Sequence, residues 1–141
     1  MGTVKNALDK LAAELERPPF HTWLRPRAKS VDVEREEVGV AVIYRPELSY
    51  DSSRAIFHGG VVAALVDIAG YATVAIWQKV PTPTTALHVE YLRPAIGDEL
   101  LARGILRRMG RSVARVDIEV SAGGKLVALG RATYSTSGAQ G

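Results

Sequence analysis

The chain contains no cysteine among its 141 residues. This absence excludes disulfides, thiolate zinc sites and cysteine nucleophiles. The three histidines, His21, His58 and His88, lack the spacing of metal ligands, so we expect no metal and no cofactor. The chain also lacks a glycine-x-serine-x-glycine elbow and a glycine-rich nucleotide loop. A serine hydrolase triad and a phosphate-cradling loop are therefore not supported.

Targeting signals and strong charge are scarce as well. The first ten residues have no apolar stretch of the length that a secretory signal needs, so we expect a cytoplasmic protein. The formal net charge is only +3, which suits a small anionic ligand as well as nucleic acid. The candidate strands lack interleaved aromatic residues for base stacking, and we therefore expect no nucleic-acid partner.

The spacing of apolar residues divides the chain into elements. A helix is predicted for Val4–Arg17, ended by Pro18, and a polar loop for residues 45–56. The run Val61–Trp77 is apolar on every helical face, which is typical of a helix enclosed by other elements. Alternation and turn residues predict six strands: Ala28–Val33, Val38–Tyr44, Thr85–Leu92, Glu99–Arg108, Ser112–Ser121 and Lys125–Tyr134.

The order of these elements predicts the architecture. Two strands, one apolar helix and four strands fit a curved antiparallel sheet that wraps around the helix, an α+β fold. We expect one domain over residues 1–141, with an N-terminal helical segment over 1–19 and a flexible tail over 135–141. A membrane span is not expected, because Asp67 at the centre of the apolar run would cost about 2.5–3.5 kcal/mol in a bilayer.

Asp67 is the only residue between Gly59 and Gln78 that is charged at neutral pH. A buried carboxylate must be hydrogen-bonded, paired or open to a cleft, so Asp67 is either a catalytic group or a structural cap. The segment His58-Gly59-Gly60 precedes the same helix. Free N–H groups at a helix start can stabilise an oxyanion, although a plain loop-to-helix turn also needs glycine.

The spacing of these two features predicts a dimer. Gly59 and Asp67 are eight residues apart, which is about 12 Å along a helix axis. A base and an oxyanion donor must both lie within about 3 Å of one reacting carbonyl. One helix cannot satisfy this requirement, but two antiparallel helices from two subunits can. If both groups are catalytic, the active site crosses a dimer interface, and we further expect two dimers to pair into a homotetramer.

A family resemblance follows from these motifs. The run FHGGVVAALVDIA from Phe57 to Ala69 resembles the signature helix of hotdog-fold thioesterases of the phenylacetyl-CoA thioesterase type. The segments Tyr91–Ala95 (YLRPA), Gly110–Ser112 (GRS) and Gly124–Ala128 (GKLVA) resemble later parts of that family. The resemblance covers roughly residues 20–134 and implies hydrolysis of an acyl-CoA thioester to a free acid and coenzyme A. Small aromatic or short- to medium-chain acyl groups are the substrates it implies.

The resemblance also implies roles for particular residues. Asp67 would activate water or attack the thioester carbon, and the Gly59 backbone N–H, with Gly60, would stabilise the oxyanion. His58 would hold the loop and the thioester, and Thr84 or Thr85 would position water.

Two positions depart from the family pattern. Relatives often carry Asn six residues before the histidine and Gly three before it, where this chain has Ser52 and Ala55. Ser52 retains a hydrogen-bonding group in the expected substrate site, with a shorter reach. The departure bears on how the loop is held and on which substrates are handled well.

Six arginines lie between residues 93 and 115, and Arg is suited to the phosphates of coenzyme A. Arg93, Arg108 and Arg111 lie at strand ends and turns, so we expect them to bind the nucleotide portion, although a solvated strand face explains them equally well. Two other functions stay open. A non-catalytic acyl-CoA binding or regulatory module would keep the pocket, while a dehydratase on the same fold would need a histidine and carboxylate pair that fits this helix less well.

Overall fold

The computed structural model describes residues 4–78 and 80–138 of the chain. The helices are α1 (Val4–Glu16), α2 (Pro19–Leu24) and α3 (Gly59–Ala75). The strands are β1 (Arg27–Asp32), β2 (Glu37–Ile43), β3 (Ser49–Asp51), β4 (Ile56–Phe57), β5 (Thr84–Tyr91), β6 (Glu99–Met109), β7 (Val113–Ala122) and β8 (Lys125–Ser135). Residues 1–3 and 139–141 of the expected terminal segments lie outside the described residues.

Six of these strands form one antiparallel sheet in the order β1-β2-β6-β7-β8-β5. The helix α3 packs against the concave side of this sheet, and its apolar side chains join those of the strands in one core. The α+β class and the hotdog architecture expected from the sequence are therefore confirmed. The short strands β3 and β4 pair separately and lie in the segment that leads into α3.

Two glycines on the sheet let α3 approach it closely. A Cβ at Gly130 would overlap with Val66, and one at Gly104 would overlap with the Thr73 hydroxyl. Both positions are buried beneath the helix. Glycine at these two positions therefore lets the backbone of α3 lie close to the sheet. This close packing sets how far the side chains on one face of α3 lie from the sheet.

Three local features differ from the sequence-based expectation. Pro18 ends α1 as expected, but Pro19 opens α2, because proline suits the first turn of a helix. The expected polar loop over residues 45–56 contains two 3₁₀ turns and strand β3. At the other end, Ser135 closes β8, and Thr136 donates its backbone N–H to Ser112 and its hydroxyl to Gly110. The ordered sheet therefore reaches into the expected tail.

Strand β5 forms one edge of the sheet, with β8 on one side only. Seven of its eight residues are exposed, which is unusual for a strand beside a core helix. Tyr91 contacts α3, so the alternation of side chains places Leu87 and Val89 on the same concave side. Leu87 is nevertheless 40% exposed and Tyr91 55% exposed. An apolar edge strand without a neighbour on one side is a surface on which a further strand can pair.

No helix among the described residues is long and apolar enough to cross a membrane. The location of the protein in the cytoplasm stays a prediction.

Candidate functional site

Asp67 lies two turns into α3, at the edge of the core beside the start of β5. The Thr84 hydroxyl donates a 2.7 Å hydrogen bond to the Asp67 Oδ1 atom. The Tyr134 hydroxyl lies 2.9 Å from the Asp67 carbonyl oxygen and 3.4 Å from its Oδ1. The carboxylate is half-buried and has no ion-pair partner among the described residues. It is thus held by hydroxyl groups and remains open to a reacting group.

Tyr134 is fully buried on β8 and supports Asp67 from below. Burial, and then the negative charge of Asp67, raise the pKa of the Tyr134 hydroxyl well above its ordinary value. The hydroxyl therefore stays protonated and donates to Asp67. The Tyr71 backbone N–H acts in the opposite direction and lowers the pKa of this hydroxyl by a smaller amount. A Cβ at Gly70 would overlap with this hydroxyl, so glycine makes room for the insertion.

The N-terminus of α3 is capped by His58. Its Nδ1 accepts a 2.8 Å hydrogen bond from the Gly60 N–H, which assigns the ring proton to Nε2. The Val61 and Val62 N–H groups bond to the His58 carbonyl. The Gly59 N–H, in contrast, has no hydrogen-bond partner in the described part of the chain. Of the two predicted oxyanion donors, Gly59 is therefore available, while the Gly60 N–H is already occupied by His58.

Tyr91 fixes the position of Gly59. Its hydroxyl donates a 2.7 Å hydrogen bond to the Gly59 carbonyl, and its ring lies beside the Gly59 Cα. The carbonyl is thereby turned toward β5. Because successive peptide groups of a helix share one direction, the Gly59 N–H points out of the start of α3.

The segment before His58 is held by Asp51. Its Oδ1 accepts from the Ser53 N–H and the Ser53 hydroxyl, which lowers the pKa of the Asp51 carboxyl. Ser52, expected in the substrate site, is exposed at the start of the following 3₁₀ turn. Ala55 has φ of +51°, a left-handed conformation that glycine adopts more readily. The chain thus keeps the turn while having alanine where glycine is usual.

A cavity of about 330 Å³ opens beside Gly59. Its walls are mostly apolar and include Phe57, Val62 and Val127. Arg54 and Arg93 also line it and are exposed to solvent. The cavity is within the size range of small-molecule sites, and Arg93 was expected there from the sequence, whereas Arg54 was not.

The other expected residues lie elsewhere. The Thr85 hydroxyl lies 2.9 Å from the Thr133 hydroxyl on β8, and of the two candidate threonines only Thr84 is hydrogen-bonded to Asp67. Arg108 and Arg111 lie near the turn between β6 and β7, at the end of the sheet opposite to Arg93. They are not brought to the Gly59 cavity of the same chain.

The structure therefore separates two half-sites within one chain. Asp67 with Thr84 and Tyr134 forms one, and the Gly59 N–H with its cavity forms the other. Both lie on α3, eight residues apart, which corresponds to about 12 Å along the axis. Among the described residues, no group of three or more His, Asp or Glu side chains is placed to hold a metal ion.

Comparison with known proteins identifies the class to which this fold and site belong. A sequence model of the thioesterase superfamily matches residues 55–128, more than half of the chain. The chain belongs to this superfamily, and the resemblance to hotdog-fold thioesterases is confirmed at the level of the family.

Three solved structures are similar to this chain over most of its length. A crystal structure of a thioesterase superfamily protein is 33% identical, with TM-score 0.83 over 92% of this chain and 98% of that chain. A mutant of the phenylacetic acid degradation protein PaaI from Thermus thermophilus is 28% identical, with TM-score 0.71 over 84% of this chain and 98% of the other. The E. coli PaaI protein, 23% identical, shares the fold with TM-score 0.81 over 97% of both chains.

One curated relative matches over a shorter stretch. A Halobacterium salinarum protein named as a candidate esterase is 41% identical over 69 residues, which are 45% of this chain. The chain spans 44% of the length of that relative.

Proposed function

We propose that the protein is an acyl-CoA thioesterase whose active site forms between two subunits. The observation that supports this proposal most directly is the pair of half-sites on α3. Asp67 is held by the Thr84 and Tyr134 hydroxyls without a cationic partner, and the Gly59 N–H is unbonded. The two are too far apart to act on one carbonyl within one chain, so each must be completed by the other group from a second copy.

The exposed edge of β5 supplies the surface for that second copy. Antiparallel pairing of two β5 strands would place two α3 helices side by side in opposite directions. Such a two-fold arrangement brings the Gly59 end of one helix toward Asp67 of the other, and it creates two sites per dimer. We also expect two dimers to pair into a homotetramer, which a measurement of molecular mass in solution would test.

The chemistry follows from these roles. The thioester carbonyl oxygen would accept a hydrogen bond from the Gly59 N–H as it gains charge during attack. Asp67 of the partner would either take a proton from water or attack the carbonyl carbon itself, and the Thr84 hydroxyl would orient the carboxylate or the water. The C–S bond then breaks and coenzyme A leaves as the thiol. After attack by water the acyl group leaves directly as a free acid, whereas after attack by Asp67 a water hydrolyses the resulting acyl-Asp67 anhydride to the acid. Incorporation of ¹⁸O from water into Asp67 would show direct attack, because water activation breaks no bond of the carboxylate.

The cavity beside Gly59 would hold the pantetheine arm, because it is narrow, mostly apolar and adjoins the proposed oxyanion donor. Arg54 and Arg93 at the same cavity would contact the diphosphate. Small aromatic or short- to medium-chain acyl groups are the proposed substrates, following the phenylacetic acid degradation proteins among the related structures. A panel of acyl-CoA thioesters tests this choice.

The replacement Asp67→Asn tests the proposed chemistry. We expect kcat to fall at least about 100-fold, because the amide cannot act as a base or a nucleophile. Thr84 can still donate to the amide oxygen, so the site should keep its shape and its affinity for acyl-CoA. Steady-state hydrolysis and direct binding of a non-hydrolysable acyl-CoA analogue are the measurements. Normal binding together with a wild-type rate would exclude catalysis by Asp67, and binding without any hydrolysis by the wild type would favour a regulatory module.

A further inference from the structure

A second concave surface lies at the same end of the sheet as the Gly59 cavity, where α2 meets β1 and β2. Three arginines line this surface, which we call the arginine cleft: Arg25, Arg27 and Arg45, together with Ile43 and Tyr44. Its volume is about 330 Å³. The catalytic half-sites make no use of it.

Two of the three guanidinium groups are free to bind a ligand. Arg45 is committed, since it donates to the carbonyl oxygens of Trp23 and Leu24 at the end of α2. Arg25 and Arg27 are exposed and have no ion-pair partner within the part of the chain that the structure describes. Two uncompensated cations at one concavity favour an anion with several charges.

The backbone at Arg25 adds a second observation. Arg25 has φ of +62° and occupies the left-handed position that ends α2, where glycine is the common residue. A side chain with a Cβ is strained in this conformation, whereas glycine is not. The fold therefore tolerates strain to present this side chain, and strained positions of this kind concentrate at ligand sites.

An exposed aromatic pair adjoins the cleft. Trp23 is 50% exposed and Phe20 51% exposed, and their rings are stacked with centroids 6.2 Å apart. The Arg45 guanidinium lies 5.0 Å from the centre of the Trp23 ring, which ties the pair to the cleft. Aromatic faces beside arginines match the two parts of a phosphorylated nucleotide, a stacking base and its phosphates.

The position of the cleft relates it to the proposed catalytic centre. Tyr44 lines the cleft, Phe57 lines the Gly59 cavity, and the two rings pack edge to face with centroids 5.4 Å apart. Residues 45–57 connect the two concavities, with Arg45 at the cleft and Arg54 at the cavity. The end of β2 lies four strand spacings from the end of β5, about 19 Å across the sheet. A long linear ligand whose reacting end lies at Gly59 can extend over this distance.

We propose that the arginine cleft binds the 3′-phosphoadenosine end of coenzyme A, with Arg25 and Arg27 on the phosphate and Trp23 or Phe20 against the adenine. The inference rests on the proposed function. It leaves the diphosphate with Arg54 and Arg93 and assigns the 3′-phosphoadenosine to residues other than Arg93, Arg108 and Arg111. In this arrangement the ligand runs from Gly59 through the cavity, past Arg54, to the cleft.

The double variant Arg25→Gly/Arg27→Gln tests the cleft. Glycine at position 25 relieves the left-handed backbone, so lost binding cannot be attributed to a weakened fold. We expect KM for an acyl-CoA to rise about tenfold or more with kcat unchanged, since phosphate contacts to two arginines are lost. KM for the matching acyl-pantetheine thioester, which has no nucleotide, should not change. Arg115→Gln, an exposed arginine on β7, is the control and should leave both values unaltered.

Direct binding makes the test independent of turnover. Adenosine 3′,5′-bisphosphate should bind the wild-type protein, quench the fluorescence of Trp23 and bind the double variant about tenfold more weakly.

If the wild type hydrolyses acyl-CoA and acyl-pantetheine with equal KM, the nucleotide contributes nothing and the inference is wrong while the proposed function stands. If neither thioester is hydrolysed, the proposed function fails and bisphosphate binding alone decides the site. Tight binding of ATP at the cleft with no effect of the double variant on KM for acyl-CoA would show a site for free nucleotide and overturn the assignment.

Discussion

The Tyr134 hydroxyl joins the stability of α3 to the position of Asp67. Removing it in Tyr134→Phe deletes the hydrogen bonds that this hydroxyl donates to the Asp67 carbonyl and carboxylate oxygens. We expect the free energy of unfolding to fall by about 1 kcal/mol and kcat to fall with it. Chemical denaturation and steady-state kinetics measure the two effects. A variant with wild-type kcat would show that Tyr134 serves the fold alone.

The same residue predicts a dependence of stability on pH. Because the pKa of Tyr134 is raised in the folded protein, its contribution is complete below about pH 10, where an unfolded tyrosine begins to ionise. Above that pH the unfolded chain loses the proton while the folded chain keeps it, so stability declines. Tyr134→Phe should flatten this alkaline decline, and an unchanged alkaline slope would contradict the assignment.

Ala55 predicts a gain in stability. In Ala55→Gly the left-handed backbone is no longer strained, while the unfolded chain gains some freedom, so we expect a net stabilisation of about 0.5–1 kcal/mol. The kcat value should not change, because the turn keeps its shape. Thermal unfolding checks the first expectation. A loss of stability would indicate that the Ala55 side chain makes favourable contacts that outweigh the strain.

At the scale of elements, the start of α3 allows the proposed oxyanion donor, the Gly59 N–H, to be removed by itself. Gly59→Pro deletes the N–H at the first helical position, where proline is accepted, and His58 already has the extended ψ of 141° that a following proline requires. We expect kcat to fall about 10²–10³-fold.

Gly59→Ala is the matched control for this replacement. It keeps the N–H, and its Cβ would meet the Tyr91 ring at an ordinary distance of 3.5 Å. Activity close to that of the wild type is expected. Equal losses in the two variants would indicate crowding at Tyr91 instead of a missing donor.

The elements also show which features the sequence could predict. Asp67 was visible because it is a single charge in an apolar run, and the strands were visible because their residues alternate. Tyr134 left no such signal, since it lies 67 residues from Asp67 and only the closing of β8 beneath α3 brings them together. The helix α2 was not predicted, because the neighbouring Pro18 and Pro19 favour the end of α1, whereas in the structure Pro19 also begins the next helix.

At the scale of the whole molecule, the proposed active site between two subunits predicts complementation between two inactive variants. Asp67→Asn and Gly59→Pro should each be inactive alone. When they are refolded together, a mixed dimer contains one site with both native groups. Random pairing makes half of the dimers mixed, with one of two sites intact, so about a quarter of the wild-type activity should return. No recovery, with mixed dimers verified by two affinity tags, would place the whole site within one subunit.

The bare edge of β5 has a consequence for the life of the newly made chain. Until the proposed second subunit pairs with β5, this strand exposes unpaired backbone groups and apolar side chains to which other polypeptides can bind. The stability of the protein toward unfolding should therefore depend on its concentration, since mass action favours the dimer at high concentration. In a cell that makes little of this protein, a larger fraction would be monomeric and prone to aggregate through β5. The level of expression would then affect how much of the protein stays folded.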